Sequence, residues 1–205
     1  MKKVIFGTTN KRKVQDLQTV INKMNLDYEV LSMDDIGWDR GEIVEDGTSI
    51  QQNSLIKAKA ILSFCHDHNI CYPIITDDSG LFVDALDGAP GIYSARYADD
   101  EFNLNPDLPK YQCVFKLLRE LNGKENRSAS LRCCVTTMLP SGIYYQDFGK
   151  SDGTISNEVI GELKKPYFYS VFILNNTNVP FSQLSEEEWD NTYRSDAFRR
   201  SLKRL

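Results

Sequence analysis

The segment Val4-Ile5-Phe6-Gly7-Thr8-Thr9-Asn10-Lys11-Arg12-Lys13-Val14 decides the fold. Val4 to Phe6 is a short apolar strand. Gly7 to Asn10 is a turn built from helix-capping residues. Val14, Leu17, Ile21 and Met24 then recur at helical spacing. The chain therefore opens as strand, polar loop, helix. Further on, Thr48 with Gln51 has the capping-box form and predicts a second helix from Thr48 or Ser49 to about Cys65. Leu55, Ala58, Leu62 and Cys65 form its apolar face, while Ser49, Asn53 and Lys57 share another. Pro73 to Thr76 predicts a buried strand that ends at Asp77-Asp78-Ser79-Gly80, with Leu81 to Val83 extended after the glycine. A turn-rich stretch, Gly88 to Gly91, follows. Tyr111, Phe115, Leu118 and Leu121 predict a helix from about Asp107 to Leu121. Leu131–Leu139 and Ile143–Phe148 read as a hairpin across Pro140-Ser141-Gly142. Tyr167–Leu174 reads as an aromatic strand. Ser185 opens a last helix that begins acidic and ends basic. This order predicts an α/β fold with a mixed, twisted sheet. No repeat or Pro/Gly/Ser linker divides it, so residues 1–205 are expected to form a single domain.

At 205 residues the chain is one large domain or two small lobes. It is long enough to bury roughly 70% of its unfolded surface. Its net charge of −5 argues against bulk nucleic-acid binding, which runs basic. A single-stranded nucleic-acid reading through Tyr167, Phe168, Tyr169 and the basic last helix is disfavoured by the same acidic balance. No apolar run approaches the ~18 residues of a membrane helix, and Val4 to Phe6 is too short for a signal peptide. A soluble, cytoplasmic protein is expected. Five cysteines, an odd number, predict reduced thiols. The only histidines, His66 and His68, lie in Cys65-His66-Asp67-His68…Cys71, whose spacing matches no closed zinc pattern. Chemistry elsewhere must work without His, which disfavours a Ser-His-Asp or Cys-His mechanism. Carboxylates must serve as bases, and Lys or Arg as phosphate clamps.

Three constellations could carry such chemistry. Gly7 to Lys13 is a strand-to-helix turn, which presents backbone N–H groups and lysines to an anion. It lacks the GxxxxGK[ST] pattern, and a capped helix with a solvated basic first turn is the competing reading. Asp77-Asp78 at a buried strand end suits a hard divalent ion, with Gly80 turning the chain. The competing reading is an acidic surface turn. Glu45-Asp46-Gly47-Thr48 with Asn53 and Lys57 adds a carboxylate and a cation, although Glu45 alone is welcome before any helix. Lys57, among Leu55, Ile56, Ala58 and Ala60, either snorkels or faces a ligand. Two carboxylate clusters, two lysine-bearing segments and no histidine fit metal-assisted attack of water on a phosphoryl group.

These segments resemble the inosine/xanthosine triphosphate pyrophosphatases. Gly7-Thr8-Thr9-Asn10-Lys11-Arg12-Lys13 is similar to that family's A-T-x-N-x-x-K loop. Glu45-Asp46-Gly47-Thr48…Asn53-Ser54-Leu55-Ile56-Lys57-Ala58 is similar to its E-x-G-x-T/S-x-x-x-N-A-x-x-K-A segment. Asp77 to Tyr97, DDSGLFVDALDGAPGIYSARY, resembles its most distinctive signature nearly letter for letter. The resemblance implies an elongated two-lobed subunit around a mixed, twisted sheet with flanking helices and a central cleft, assembled as a homodimer. It implies Mg²⁺-dependent hydrolysis of a nucleoside triphosphate to monophosphate and pyrophosphate. Asp78 would be the proton acceptor, and Glu45, Asp77 and Asp78 the metal carboxylates. Thr8, Thr9, Asn10, Lys13, Asn53 and Lys57 would hold the substrate with Ser79.

The likeness weakens toward the base-recognising end. The family's F-G-Y-D-P-[IV]-F strand corresponds to Pro166-Tyr167-Phe168-Tyr169-Ser170-Val171-Phe172, leaving Tyr167 or Phe168 to take over stacking. A late-helix lysine becomes Trp189, and the S-H-R motif falls near Tyr193-Arg194-Ser195 or, with a one- or two-residue shift, Ser195-Asp196-Ala197; neither register restores His followed by Arg, and Arg194 remains a substrate-binding candidate. The expectation is therefore an active enzyme for ITP-, XTP- or dITP-like nucleotides with an altered base preference. The alternative is a weak or inactive nucleotide-binding homologue.

Overall fold

A computed structural model describes the chain except residues 108, 110, 165, 176 and 178. The strands are β1 (Lys2–Phe6), β2 (Tyr28–Leu31), β3 (Ile74–Val83), β4 (Pro90–Gly91), β5 (Ser128–Met138), β6 (Tyr144–Ile155) and β7 (Phe172–Leu174). The helices are α1 (Lys11–Lys23), α2 (Ile50–Asp67), α3 (Asp99–Leu104), α4 (Gln112–Glu120), α5 (Glu186–Asp190) and α6 (Tyr193–Leu202). The strand order is β2-β1-β3-β5-β6-β7, with β4 also on β3. β1 pairs in parallel with β2 and β3, whereas β3–β4 and β6–β7 are antiparallel. The expected mixed α/β sheet with flanking helices is present.

The chain divides into two compact units. The first comprises residues 1–78, 133–149 and 193–205. Its centre is β1, whose Val4, Ile5 and Phe6 are all fully buried, as suits a parallel strand covered on both faces. α1 buries Leu17, Val20 and Ile21 and packs on β2 and α6, and Phe198 of α6 meets Phe6 edge-on. α2 packs Ala58, Ile61, Phe64 and Cys65 against Ile74 and Met138. The second unit comprises residues 79–132 and 150–192. Its core includes Val114 and Leu117 of α4, Leu131 of β5, and Phe168, Phe172 and Phe181.

Several elements depart from the sequence reading. β3 runs unbroken from Ile74 to Val83, so Asp77 and Asp78 lie inside a strand and not in a turn after one. Gly80 does not turn the chain. A Cβ there would sit 2.1 Å from the carbonyl oxygen of Gly91, so the missing side chain admits β4. The helix expected from Asp107 to Leu121 begins at Gln112, and α3 precedes it as a separate element; positions 108 and 110 lie outside the described residues. Its buried stripe is Cys113, Val114, Leu117 and Leu121, while Phe115 is exposed. Two overlapping stripes had helical spacing, and the aliphatic one faces inward. Tyr167–Ser170 is a single 3₁₀ turn and only Phe172–Leu174 is strand. Pro166 accepts from the Tyr169 N–H, and the Ser170 hydroxyl donates to the Tyr167 carbonyl, which favours the turn. The last helix is two, α5 and α6, parted at Asn191-Thr192, where the Thr192 hydroxyl donates to the Trp189 carbonyl. Ser49, and not Thr48, caps α2 by accepting from the Gln52 N–H. The four-residue β2 had no counterpart in the sequence reading. Among the described residues no helix is long and apolar enough to cross a membrane.

Candidate active site

The first unit gathers three cations, Lys13, Lys57 and Arg194, around three carboxylates, Glu45, Asp77 and Asp78. β3 supplies the two aspartates from adjacent positions. Asp77 is buried, and Lys13 from the first turn of α1 donates to both its oxygens, at 3.0 and 3.2 Å. The Arg194 guanidinium from the first turn of α6 lies 3.5 Å from Asp77 Oδ2. Burial alone would push the Asp77 carboxyl up, but Lys13, Arg194 and Lys57 hold it well below the usual range. Burial pushes the Lys13 ammonium down, and Asp77 offsets only part of this.

Asp78 belongs to a second group. Its Oδ2 accepts from Asn53 Nδ2 at 3.1 Å, and its Oδ1 is 3.8 Å from Lys57 Nζ. Lys57 donates to Glu45 Oε2 at 3.0 Å. Asn53, buried on α2, also accepts from the Gly47 N–H at 2.9 Å. One amide thus ties the Glu45–Gly47 loop to the strand. Burial pushes the Asp78 carboxyl up, Lys57 and Asn53 draw it down, and Glu45 and Asp77 raise it again. The net shift is upward, which makes Asp78 the more basic of the two strand aspartates and the one suited to accept a proton.

The β1–α1 loop is a cap with its oxygens engaged. Asn10 Oδ1 accepts from the Arg12 N–H, and Thr8 Oγ1 accepts from the Asn10 N–H. Thr9 is exposed. No acidic residue stands in the first turn of α1, where Lys11, Arg12 and Lys13 oppose the helix dipole. An anion at this turn would satisfy both the N–H groups and these cations.

The remaining expected site residues fall elsewhere. Ser79 follows Asp78 along β3 and is assigned to the second unit, as are Tyr167 and Phe168. Phe168 is buried edge-on to Tyr97, and Tyr167 meets Tyr111 edge-on, each at a ring separation of 6.3 Å. Of the expected metal carboxylates, Asp77 is engaged by two cations. Its carboxylate is enclosed by Lys13 and Arg194, and among the described residues no group of three or more His, Cys, Asp or Glu side chains is arranged to hold an ion. Glu45 and Asp78 remain as a pair gathered at one lysine. A hard cation that arrives with substrate phosphates needs only one or two carboxylates, so this oxygen donor set fits Mg²⁺.

Other residues position the site and were not singled out in the sequence. Ser54 accepts or donates with Thr76 and Thr136 hydroxyls at 3.2 and 2.8 Å, and the Thr76 hydroxyl donates to the Ser54 carbonyl. This buried cluster locks α2, and so Asn53 and Lys57, to β3 and β5. Its signal was a serine within the apolar stripe Ile50, Ala58, Ile61 and Cys65. α6 is held by a Thr137–Ser201 hydroxyl pair at 2.5 Å and by close approach to Gly149, where a Cβ would lie 1.7 Å from the Tyr193 carbonyl oxygen.

Fold and site define the class: a mixed-sheet α/β protein whose candidate site gathers carboxylates, lysines and an arginine. Comparison with known proteins gives the family. A profile of the Ham1 family matches residues 4–203. The dITP/XTP pyrophosphatase of Bacillus licheniformis is 36% identical over 98% of this chain and 96% of its own. That of Bacillus subtilis is 32% identical over 100% and 98%. The solved Ham1 protein of Staphylococcus aureus superposes with a TM-score of 0.78 at 26% identity, covering 97% of this chain and 95% of its own. The chain belongs to the Ham1 family.

Proposed function

We propose that this protein hydrolyses non-standard purine nucleoside triphosphates of the dITP and XTP type to the monophosphate and pyrophosphate. The observation that carries this is the pairing of a desolvated, hydrogen-bonded Asp78 with a three-cation cluster, in a chain 32–36% identical to enzymes named dITP/XTP pyrophosphatases. Lys13, Lys57 and the capped turn Thr8-Thr9-Asn10 bind the triphosphate and cancel charge as it develops. Asn53 orients the Asp78 carboxylate. Asp78 takes the proton from the attacking water. The water oxygen bonds to the α-phosphorus, the bond from that phosphorus to the bridging oxygen breaks, and pyrophosphate leaves. Glu45 and Asp78 are the residues that would hold Mg²⁺, which when bound supplies charge neutralisation at the phosphate oxygens.

By the resemblance drawn from the sequence, the family's base-recognition motif falls on Pro166, Tyr167, Phe168 and Tyr169, its late lysine on Trp189, and its S-H-R on Tyr193-Arg194-Ser195 or, shifted, on Ser195-Asp196-Ala197. A site that loses specific hydrogen-bond donors loses discrimination. Preference for dITP and XTP over the standard nucleotides is therefore expected to be shallower than in the relatives. Pyrophosphate release with Mg²⁺ from dITP, XTP, ITP and the standard nucleotides tests this. Turnover with a narrowed preference supports the reading. A folded protein that binds these nucleotides but turns none over overturns it in favour of a binding homologue.

A further inference from the structure

We propose that Arg194 is the standing counter-ion of Asp77, a positioning residue that leaves Lys13 to the triphosphate; this deepens the reaction proposed above and rests on it. Asp77 is met by two cations, and Lys13 alone, donating to both oxygens, already neutralises it. The second cation is redundant while Lys13 stays and required once Lys13 turns away. A buried carboxylate stripped of its only counter-charge is strongly destabilised.

The two cations are placed for this division of labour. The Lys13 side chain is 30% exposed and stands in the first turn of α1, beside the capped loop. The Arg194 side chain is 8% exposed, and the Asp77 side chain 1%. Arg194 sits on α6, whose start is jammed against Gly149 and whose later turn is pinned through Thr137 and Ser201. Lys13 is the less buried of the two cations and stands beside the loop that would take a phosphate, whereas Arg194 sits on the anchored helix. A guanidinium in the first turn of a helix also opposes the dipole, a cost that the Asp77 carboxylate offsets. On this geometry Arg194 faces the carboxylate and acts on substrate through Lys13, so it does not read the base.

The probe is inorganic tripolyphosphate, which has the substrate's charge and no base. Its binding is measured by calorimetry with Mg²⁺ for wild type, R194M, R194K, D77N and the R194M/D77N double variant. KM and kcat for dITP and dATP are measured alongside, with melting curves confirming the fold. The expected result for R194M is an about tenfold loss of tripolyphosphate affinity. KM should rise by the same factor for dITP and dATP, leaving the ratio of their kcat/KM values unchanged. R194K should recover most of the loss. In the D77N background, R194M should cost nothing further, because the carboxylate that needed a counter-ion is gone. If R194M does not fold, R194Q carries the same cycle. Unchanged tripolyphosphate binding with a shifted dITP/dATP ratio would overturn the proposal and make Arg194 a base reader. An equal loss in the wild-type and D77N backgrounds would overturn it by showing that Arg194 acts without Asp77. Should the wild type turn over no nucleotide, the proposed reaction falls, and the tripolyphosphate cycle still decides the role of Arg194.

Discussion

Asp77 and Asp78 are chemically identical neighbours with opposite environments. Lys13 and Arg194 hold Asp77 ionised, whereas burial dominates at Asp78 and raises its carboxyl above the ordinary 3.8. The acid limb of kcat/KM should therefore lie above the ordinary aspartate value. Lys57 draws Asp78 down and Glu45 pushes it up. K57Q is expected to move that limb to higher pH and E45Q to lower pH, each with reduced turnover. Paired pH–rate profiles check the two signs, and shifts in the same direction would show that Asp78 is not the group observed. A raised folded-state pKa also has a stability consequence. As pH rises from 3.8 through the raised value, the folded state loses stability relative to the unfolded chain, and it does not recover that loss at neutral pH. Ionised Asp78 is a cost to the fold, so a neutral isostere should relieve it.

At the scale of elements, the site depends on helices pressed close to strands. Gly149 of β6 lets the start of α6 approach until a Cβ would overlap the Tyr193 carbonyl. G149A should lower stability by roughly 1–3 kcal/mol, read from urea midpoints, and raise KM by displacing Arg194. The opening strand, loop and helix were legible because Val4–Phe6 is an uninterrupted apolar run and Asn10 is a strong cap. The long hairpin was legible from Pro140-Ser141-Gly142. Asp77-Asp78 was expected at the end of a strand and lies inside one. Gly80 has the look of a breaker, and only the three-dimensional approach of Gly91 reveals its reason. The pairing of Arg194 with Asp77 spans 117 positions (194 minus 77), and no local pattern encodes it. α4 was read out of phase because Phe115 counted as core, although its ring remains at the surface.

Across the whole molecule, the five thiols follow burial. Cys65, Cys113, Cys133 and Cys134 are buried and Cys71 is exposed, with none in a disulfide. Burial pushes Cys113 up to about 11 and Cys133 and Cys134 up to about 12, so these thiols are poor nucleophiles at neutral pH. Titration with a thiol reagent should count one fast thiol in the native protein, lost in C71S, and five in denaturant. The proposed chemistry rests on carboxylates and cations, and its most direct measurement is pyrophosphate release from dITP by wild type and D78N, with a melting curve for each. The expected result is turnover in the wild type, a loss of at least about a hundredfold in D78N, and a D78N melting temperature equal to or above the wild type's. D78N that folds and turns over dITP at the wild-type rate would contradict the assignment of Asp78 as the proton acceptor.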